Sequence, residues 1–294
     1  MTNTKLSITQ LQQAIIAQPN NHQLLAQLGE LYSAQQQYEL AHHYFNEAIQ
    51  RQPNYYWAMA HQGETYRLQG NYAAALTHFN QSLTLKANYV WAIAHRGMTY
   101  RLMGKAYYTL ALTDFNQALQ LKPDYAWAIA YRCRIYDLLR CYQEALIDFD
   151  KAIALDPNLF DNKHSERGML LSYCGRYEEA ITACQQALQE NPCDHFALYN
   201  IAVFKMRWQG LSRAQTEIET ARATLQAALD TPDRGIVLYR LGGLAVLAGH
   251  TELALQFLQP AILLDQTAID FALHDIAWLE LRDHPQFQSL VVEK

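Results

Sequence analysis

The sequence predicts an all-α protein built from antiparallel helix pairs that stack one after another. The segments YWAMAHQGETYRLQG (56–70), VWAIAHRGMTYRLMG (90–104) and AWAIAYRCRIYDLLR (126–140) align with one another. Glycine columns recur at a spacing of 34 residues, and glycine and proline mark the ends of the repeated segments. Self-similarity at a period of about 20 to 50 residues indicates a stack of supersecondary units.

The first helix of each unit carries a small residue followed three positions later by tyrosine. Residues three apart lie on one face of a helix, so these columns form one buried stripe. Glycine just after the stripe indicates the end of the helix. The small column is Gly29, Gly63, Gly97 and Cys133, the tyrosines are Tyr32, Tyr66, Tyr100 and Tyr136, and the terminal glycines are Gly70 and Gly104.

The second helix of each unit carries alanine, phenylalanine and a small residue at spacings of four and three. Small residues let two helices approach closely, and the phenylalanine rings fill the remaining space. Proline, which ends a helix, closes most units. The columns are Ala41, Ala75, Ala111, Ala145 and Ala180, then Phe45, Phe79, Phe115 and Phe149, then Ala48, Ser82, Ala118, Ala152 and Ala187, with Pro53, Pro123, Pro157 and Pro192 behind them.

These columns resemble the tetratricopeptide repeat, with its small residue, Tyr, Ala, Phe, Ala and Pro positions. The resemblance implies a right-handed superhelical solenoid of about seven units plus capping helices. We expect an N-terminal helix in 1–21, five units (22–55, 56–89, 90–125, 126–159 and 161–194), two divergent units in 195–268, and a C-terminal capping helix and tail in 269–294.

Composition narrows the class of partner. Half of the 294 residues are hydrophobic and 17% are charged, which favours a folded chain. The net charge of −5 is spread without runs, which argues against nucleic-acid partners and against binding to an anionic membrane surface. No stretch approaches the about 18 apolar residues of a membrane span, so we expect no membrane insertion and a cytoplasmic location.

Motifs of known catalytic and metal sites are missing from the sequence. It contains no GxxxxGKS, GxSxG or HExxH pattern, and its five cysteines form no CxxC pair. We therefore expect a protein that is not an enzyme, with no cofactor, no metal and no catalytic residues.

Helical repeat arrays usually bind partners on the concave surface lined by their first helices. In three units this face carries aromatic, polar and cationic residues that suit a peptide. The predicted binding residues are Tyr55, Trp57, His61, Glu64 and Arg67, then Tyr89, Trp91, His95, Met98 and Arg101, then Tyr125, Trp127, Tyr131, Arg134 and Asp137, above a floor of Ala60, Ala94 and Ala130.

Two readings of this surface stay open, because the tryptophans could instead pack between neighbouring first helices. A second arginine column faces the second helices, where Asp114 and Asp148 are expected to pair with Arg96 and Arg132. The terminal-carboxylate clamp known in the family is absent, since alanines replace its first lysine.

The sequence thus predicts a non-catalytic scaffold or adaptor that binds a protein or peptide in the aromatic groove. Two alternatives remain, an assembly factor or chaperone that binds clients transiently and an accessory subunit that recruits a peptide substrate to a partner enzyme. The sequence leaves homo-oligomerisation open.

Overall fold

The computed structural model describes residues 6–291, and the regular structure in this range is helical. Predictions that fall on 1–5 and 292–294 lie outside the described residues. The helices are α1 (Ile8–Ala17), α2 (His22–Ala34), α3 (Tyr38–Arg51), α4 (Tyr56–Leu68), α5 (Tyr72–Leu85), α6 (Val90–Leu102), α7 (Tyr108–Leu121), α8 (Ala126–Leu138), α9 (Tyr142–Leu155), α10 (Lys163–Tyr173), α11 (Tyr177–Glu190), α12 (His195–Gln209), α13 (Leu211–Ala227), α14 (Arg234–Leu247), α15 (Thr251–Leu264), α16 (Thr267–His274) and α17 (Pro285–Val291). The predicted all-α class is confirmed. No helix within 6–291 is both long enough and apolar enough to cross a membrane.

Backbone contacts divide the chain into two compact units. Within the described residues, the first comprises 6–140 with 154–156, and the second comprises 141–153 with 157–291. All fifteen predicted binding residues belong to the first unit.

In the first unit, consecutive helices pack as hairpins around the predicted phenylalanines. Phe45, Phe79 and Phe115 are fully buried. A Cβ on Gly29 would lie 3.1 Å from the ring of Phe45 and 3.2 Å from the carbonyl oxygen of Ala41. The small column therefore exists because the second helix packs directly against the backbone of the first.

The turns between paired helices use a left-handed residue. Gly70 and Gly104 have φ angles of 78° and 96°, a conformation that glycine adopts without the steric cost of a Cβ. After Gly104, the 3-10 turn Lys105–Tyr107 accommodates the two additional residues that the repeat 90–125 carries ahead of α7. The insertion thus lengthens a surface turn.

The predicted ion pair between Arg96 and Asp114 is present. Nε of Arg96 donates to one carboxylate oxygen at 2.8 Å and Nη2 donates to the other at 2.6 Å. Asp114 is buried, so this fork joins α6 to α7 inside the hairpin.

The second unit keeps the hairpin pairing through α10 to α15, and it diverges where the sequence does. Helix α13 has 17 residues, whereas α11 and α15 have 14. The expected C-terminal capping helix is instead three pieces, α16, the 3-10 turn Ile276–Leu281 and α17. The break has a local cause, because Asp275 is extended and its side chain accepts from the backbone N–H of Ala277.

The 3-10 turn closes the end of the core in the second unit. Trp278 is fully buried, and a Cβ on Gly242 would lie 2.7 Å from its ring. The hydroxyls of Tyr199 and Tyr239 both donate to Oδ2 of Asp275 at 2.7 Å. Two buried tyrosines from α12 and α14 thereby anchor the C-terminal segment.

Candidate binding surface

Six rings form a continuous stack across α4, α6 and α8. Their order is Trp57, His61, Trp91, His95, Trp127 and Tyr131, and we call this set the aromatic ladder. Successive ring centroids lie 3.8, 4.2, 3.9, 4.6 and 4.4 Å apart. The first four contacts are stacked, with interplanar angles of 10° to 29°, and the contact from Trp127 to Tyr131 is tilted at 57°.

The ladder follows from two spacings in the sequence. Trp57 and His61 are four residues apart, which places both rings on one face of α4. Trp91 and His95 repeat this pair on α6 one repeat later. Each histidine therefore lies between the tryptophan of its own helix and that of the next first helix.

The ladder rings are partly buried, so each ring packs against the protein on one part of its surface and is exposed on another. Their contacts join neighbouring first helices, in agreement with the alternative that the tryptophans pack between these helices. Stacked pairs of this kind contribute about 0.5–1.5 kcal/mol beyond the area that they bury. The exposed parts of the rings remain available to a partner.

A tyrosine precedes each tryptophan and extends the aromatic surface. The ring centroids of Tyr55, Tyr89 and Tyr125 lie 5.9, 6.1 and 5.9 Å from those of the following tryptophans. Burial, with a smaller contribution from Glu64, raises the pKa of Tyr125 to about 12. These phenols therefore stay neutral at physiological pH.

Polar groups on the same face form a compact network. Arg67 donates through Nε to Oε2 of Glu64 at 2.7 Å, and Nδ1 of His95, on the next first helix, lies 2.9 Å from the same oxygen. Burial disfavours the charge of Glu64, but the hydrogen bonds from Arg67 and His95 outweigh it and lower its pKa to about 2. Glu64 is therefore an ionised, internally bonded side chain.

Arg101 has a different environment. Its guanidinium lies 5.3 Å from the ring centroid of Tyr131, and Nε lies 3.3 Å from the sulfur of Met98. Burial lowers the pKa of Arg101, and the neighbouring Arg134 adds to the effect. Among residues 6–291, no carboxylate forms an ion pair with Arg101.

Some predicted site residues are poorly placed to contact a partner. Met98 is 7% exposed, and Ala60 and Ala94 are fully buried beneath the rings. The predicted alanine floor is therefore made of packing residues that leave no open space for a partner. Arg134 is exposed, whereas Tyr131 and Asp137 are partly buried.

The sequence predicted the six residues of the ladder as binding residues, but it did not predict that their rings stack on one another. The signal that could have found it is the pattern Trp-x-x-x-His at Trp57 and Trp91, repeated at the period of the array. The chain thus presents, on one unit, an aromatic surface with a cationic end.

Tetratricopeptide repeat family models match two parts of the chain. One matches residues 26–90, which include the first third of the ladder, and the other matches residues 162–192 in the second unit.

Solved repeat structures share the fold. A tetratricopeptide repeat protein from Parabacteroides merdae ATCC 43184 superposes with a TM-score of 0.60 at 19% identity, covering 85% of this chain and 96% of that one. The C-terminal part of a repeat protein from Cytophaga hutchinsonii gives a TM-score of 0.60 at 15% identity, covering 83% and 98%. At these identities the likeness concerns the fold.

One curated relative is similar over part of its length. The Photosystem I assembly protein Ycf3 of Synechococcus sp. (strain CC9605) is 29% identical over 91 residues, which is 30% of this chain. The chain spans about half, 53%, of the length of that relative.

Proposed function

Because this chain is a tetratricopeptide repeat protein, we propose that it is a non-catalytic scaffold whose aromatic ladder binds a peptide segment of a protein partner. Repeat arrays typically bind through the face that their first helices line. The ladder and its flanking tyrosines lie on the first helices α4, α6 and α8, and we assign the partner to this surface. A cytoplasmic location is part of the same proposal.

The observation that carries the proposal is the continuity of the ladder over three repeats. Tryptophan, tyrosine and arginine are the residue types enriched at binding hot spots. Aromatic rings held by stacking lose little side-chain freedom when a partner binds, since their rotamers are already fixed. The ladder is therefore a preorganised surface.

The charges favour a particular kind of peptide. The carboxylate of Glu64 is already bonded to Arg67 and His95, whereas Arg101 forms no ion pair among the described residues. Arg101 lies beside Tyr131, at the end of the ladder. A segment with apolar or aromatic side chains and one acidic residue at this end complements the surface best.

Affinity capture from native lysate tests the proposal, with the purified chain as bait. The test variant replaces Trp57, Trp91 and Trp127 with Leu, which removes the rings but keeps apolar helix formers. The matched control is Trp208→Leu, because Trp208 is 46% exposed and lies outside the ladder. We expect the triple variant to lose the captured protein and the control to retain it, with unchanged helical circular dichroism in both.

A milder variant covers the case in which the triple variant unfolds. Arg101→Gln leaves the ladder rings in place and removes only the cation beside Tyr131. We expect weaker capture with a smaller dependence on salt. Capture that is unchanged in both the folded triple variant and Arg101→Gln would move the binding site off the ladder.

An assembly factor is the second candidate, and one observation favours it. The similarity to the Photosystem I assembly protein covers 91 residues at 29% identity. An assembly factor releases its client, whereas a scaffold keeps a partner at fixed stoichiometry. Size-exclusion chromatography of the captured complex separates the two, because a stable complex elutes as one peak and a transient one dissociates. Co-elution of an enzyme would instead support the accessory-subunit alternative.

A further inference from the structure

The second unit contains a cavity of about 180 Å³ that is separate from the aromatic ladder. Helices α10, α12 and α14 form three of its sides, and α16 with the two residues after it forms the fourth. Its walls are largely aromatic, with Tyr173, Phe196, Phe204 and Phe271 among the lining residues. An engineered apolar cavity of about 150 Å³ holds benzene, so the space suits one ring.

Arg240 brings a cation to this apolar space. Its Nη1 lies 2.5 Å from Nδ1 of His195, and its guanidinium lies 4.6 Å from the ring centroid of Phe196. Within 6–291, no carboxylate lies within ion-pair distance of this guanidinium. Burial lowers the pKa of Arg240, because the low-polarity surroundings disfavour its charged form.

The one carboxylate that lines the cavity already accepts hydrogen bonds from the protein. Oδ2 of Asp275 accepts from the hydroxyls of Tyr199 and Tyr239, and Oδ1 accepts from the backbone N–H of Ala277 at 2.8 Å. Asp275 is thus committed to holding the C-terminal segment. Apart from the contact between Nη1 and His195, the donors of Arg240 are left for another group.

A second donor lines the same space. Asn200 is 5% exposed, and its Nδ2 makes no hydrogen bond of ordinary geometry among residues 6–291, although its amide lies close enough to the Cys184 thiol to lower the pKa of that thiol against the larger effect of burial. A ligand oxygen that accepts from Nδ2 would supply the well-aligned hydrogen bond that this group lacks.

The cavity is partly open to solvent, and its covered side limits the shape of an occupant. An extended peptide needs a groove that is open along its length. Here the segment from Phe271 to Ile276, fastened through Asp275, lies across one side of the space. A compact molecule fits such a cavity better than a chain does.

We propose that this cavity binds a small aromatic carboxylate, a single ring with a short acidic arm. The carboxylate accepts hydrogen bonds from Arg240 and Asn200, and the ring lies among the aromatic walls. Arginine suits this role because its planar guanidinium can donate two parallel bonds to a carboxylate. This inference does not depend on the proposed function of the ladder.

Isothermal titration calorimetry of the full chain tests the proposal, with 3-phenylpropionate and its neutral amide, 3-phenylpropionamide, as probes. We expect the acid to bind with one-to-one stoichiometry and the amide to bind at least about 10-fold more weakly. Hydrogen bonds to charged groups are worth a factor of about 10 to 100 in affinity, so Arg240→Gln should weaken the acid by that factor. Arg176→Gln is the matched control, because Arg176 lies on the surface of the same unit and pairs with Glu179.

A second variant keeps the test decisive if Arg240→Gln unfolds. Met169→Trp adds bulk to the cavity wall without changing any charge, and we expect it to abolish binding of the acid. Equal affinity of the acid and the amide for the wild-type chain would overturn the proposal, as would no binding of the acid. Tighter binding of a peptide ending in Phe with a free carboxylate than of 3-phenylpropionate would assign the cavity to a chain terminus and overturn the small-molecule assignment.

Discussion

Nδ1 of His95 on α6 lies 2.9 Å from Oε2 of Glu64 on α4. The same carboxylate accepts from Arg67 one turn further along its own helix. Glu64 therefore links two repeats through its charge, directly beside the aromatic ladder.

Glu64→Gln should destabilise the protein in a pH-dependent manner. The pKa of Glu64 is about 2 in the folded protein, below the ordinary value of 4.5. Its stabilising contribution is therefore fully present above about pH 4.5 and is lost as the pH falls towards 2, and it amounts to on the order of 3 kcal/mol. Urea unfolding of both proteins at pH 7 and pH 3 measures the difference, which should shrink at the lower pH.

The control for this prediction is Glu179→Gln. Glu179 pairs with Arg176 at 2.6 Å on the surface, where solvent screens the interaction. We expect little change in the free energy of unfolding. A difference between wild type and Glu64→Gln that stays constant from pH 7 to pH 3 would contradict the role assigned to the carboxylate.

Removing Arg96 should cost far more than removing Arg167. Arg96 pairs with the buried Asp114, whose pKa is raised by burial even though Arg96 opposes the shift. Arg96→Met leaves that carboxylate without its partner, so we expect a loss of about 3 kcal/mol. Arg167 and Asp150 are 35% and 45% exposed, and Arg167→Met should cost below about 1 kcal/mol.

A double variant separates the loss of a bond from the burial of a charge. Arg96→Met combined with Asp114→Leu removes both ions from the interface between α6 and α7. Chemical denaturation should show that the double variant regains most of the stability lost in Arg96→Met. If the double variant instead loses as much stability as Arg96→Met and Asp114→Leu lose separately when added together, the charge of Asp114 is not the source of the cost.

His78 should make the protein sensitive to mild acid. Burial, with a smaller contribution from His42, lowers the pKa of His78 below its ordinary value of 6.5. The folded state therefore resists a proton that the unfolded state accepts, and stability is lost as the pH falls through about 6.5. His78→Leu should lose less stability than wild type between pH 8 and pH 5, as thermal unfolding would show. His43→Leu is the control, since the side chain of His43 is 59% exposed, and its pH dependence should match wild type.

Gly168→Ala should be strongly destabilising in the second unit. The added Cβ would lie 2.6 Å from Sγ of Cys184 and 2.9 Å from the carbonyl oxygen of Ala180. Such overpacking costs about 1–3 kcal/mol, and differential scanning calorimetry should register a lower melting temperature. Gly235→Ala is the matched control, because the Cβ added there would have Cβ of Leu264 as its nearest neighbour, at 3.3 Å. A normal melting temperature for Gly168→Ala would mean that α10 and α11 can move apart freely.

The individual hairpins could be predicted because the contacts that form each of them lie within one repeat. Arg96 and Asp114 are 18 residues apart, and the columns of the repeat fix the faces on which both lie. The ladder was predicted only as a set of residues. Its stacking depends on the offset between neighbouring first helices, which the spacing of 34 residues does not specify.

The C-terminal half of the second unit could not be predicted in the same way. Tyr199 reaches Asp275 across 76 residues, and no periodicity relates the two. The sequence predicted a capping helix and a tail without placing a boundary between them, and the extended backbone at Asp275 separates α16 from the 3-10 turn that follows. The cavity depends on this break, so it could not be predicted either.

The ladder also has a direction. Trp57 with His61 and Trp91 with His95 are two equivalent cells, one repeat apart, whereas Trp127 is followed by Tyr131. A ligand that recognised only tryptophan and histidine would have two registers of nearly equal energy. The phenol of Tyr131 and the guanidinium above it distinguish the third cell, so they define one end of the surface and make sliding by one repeat energetically unequal.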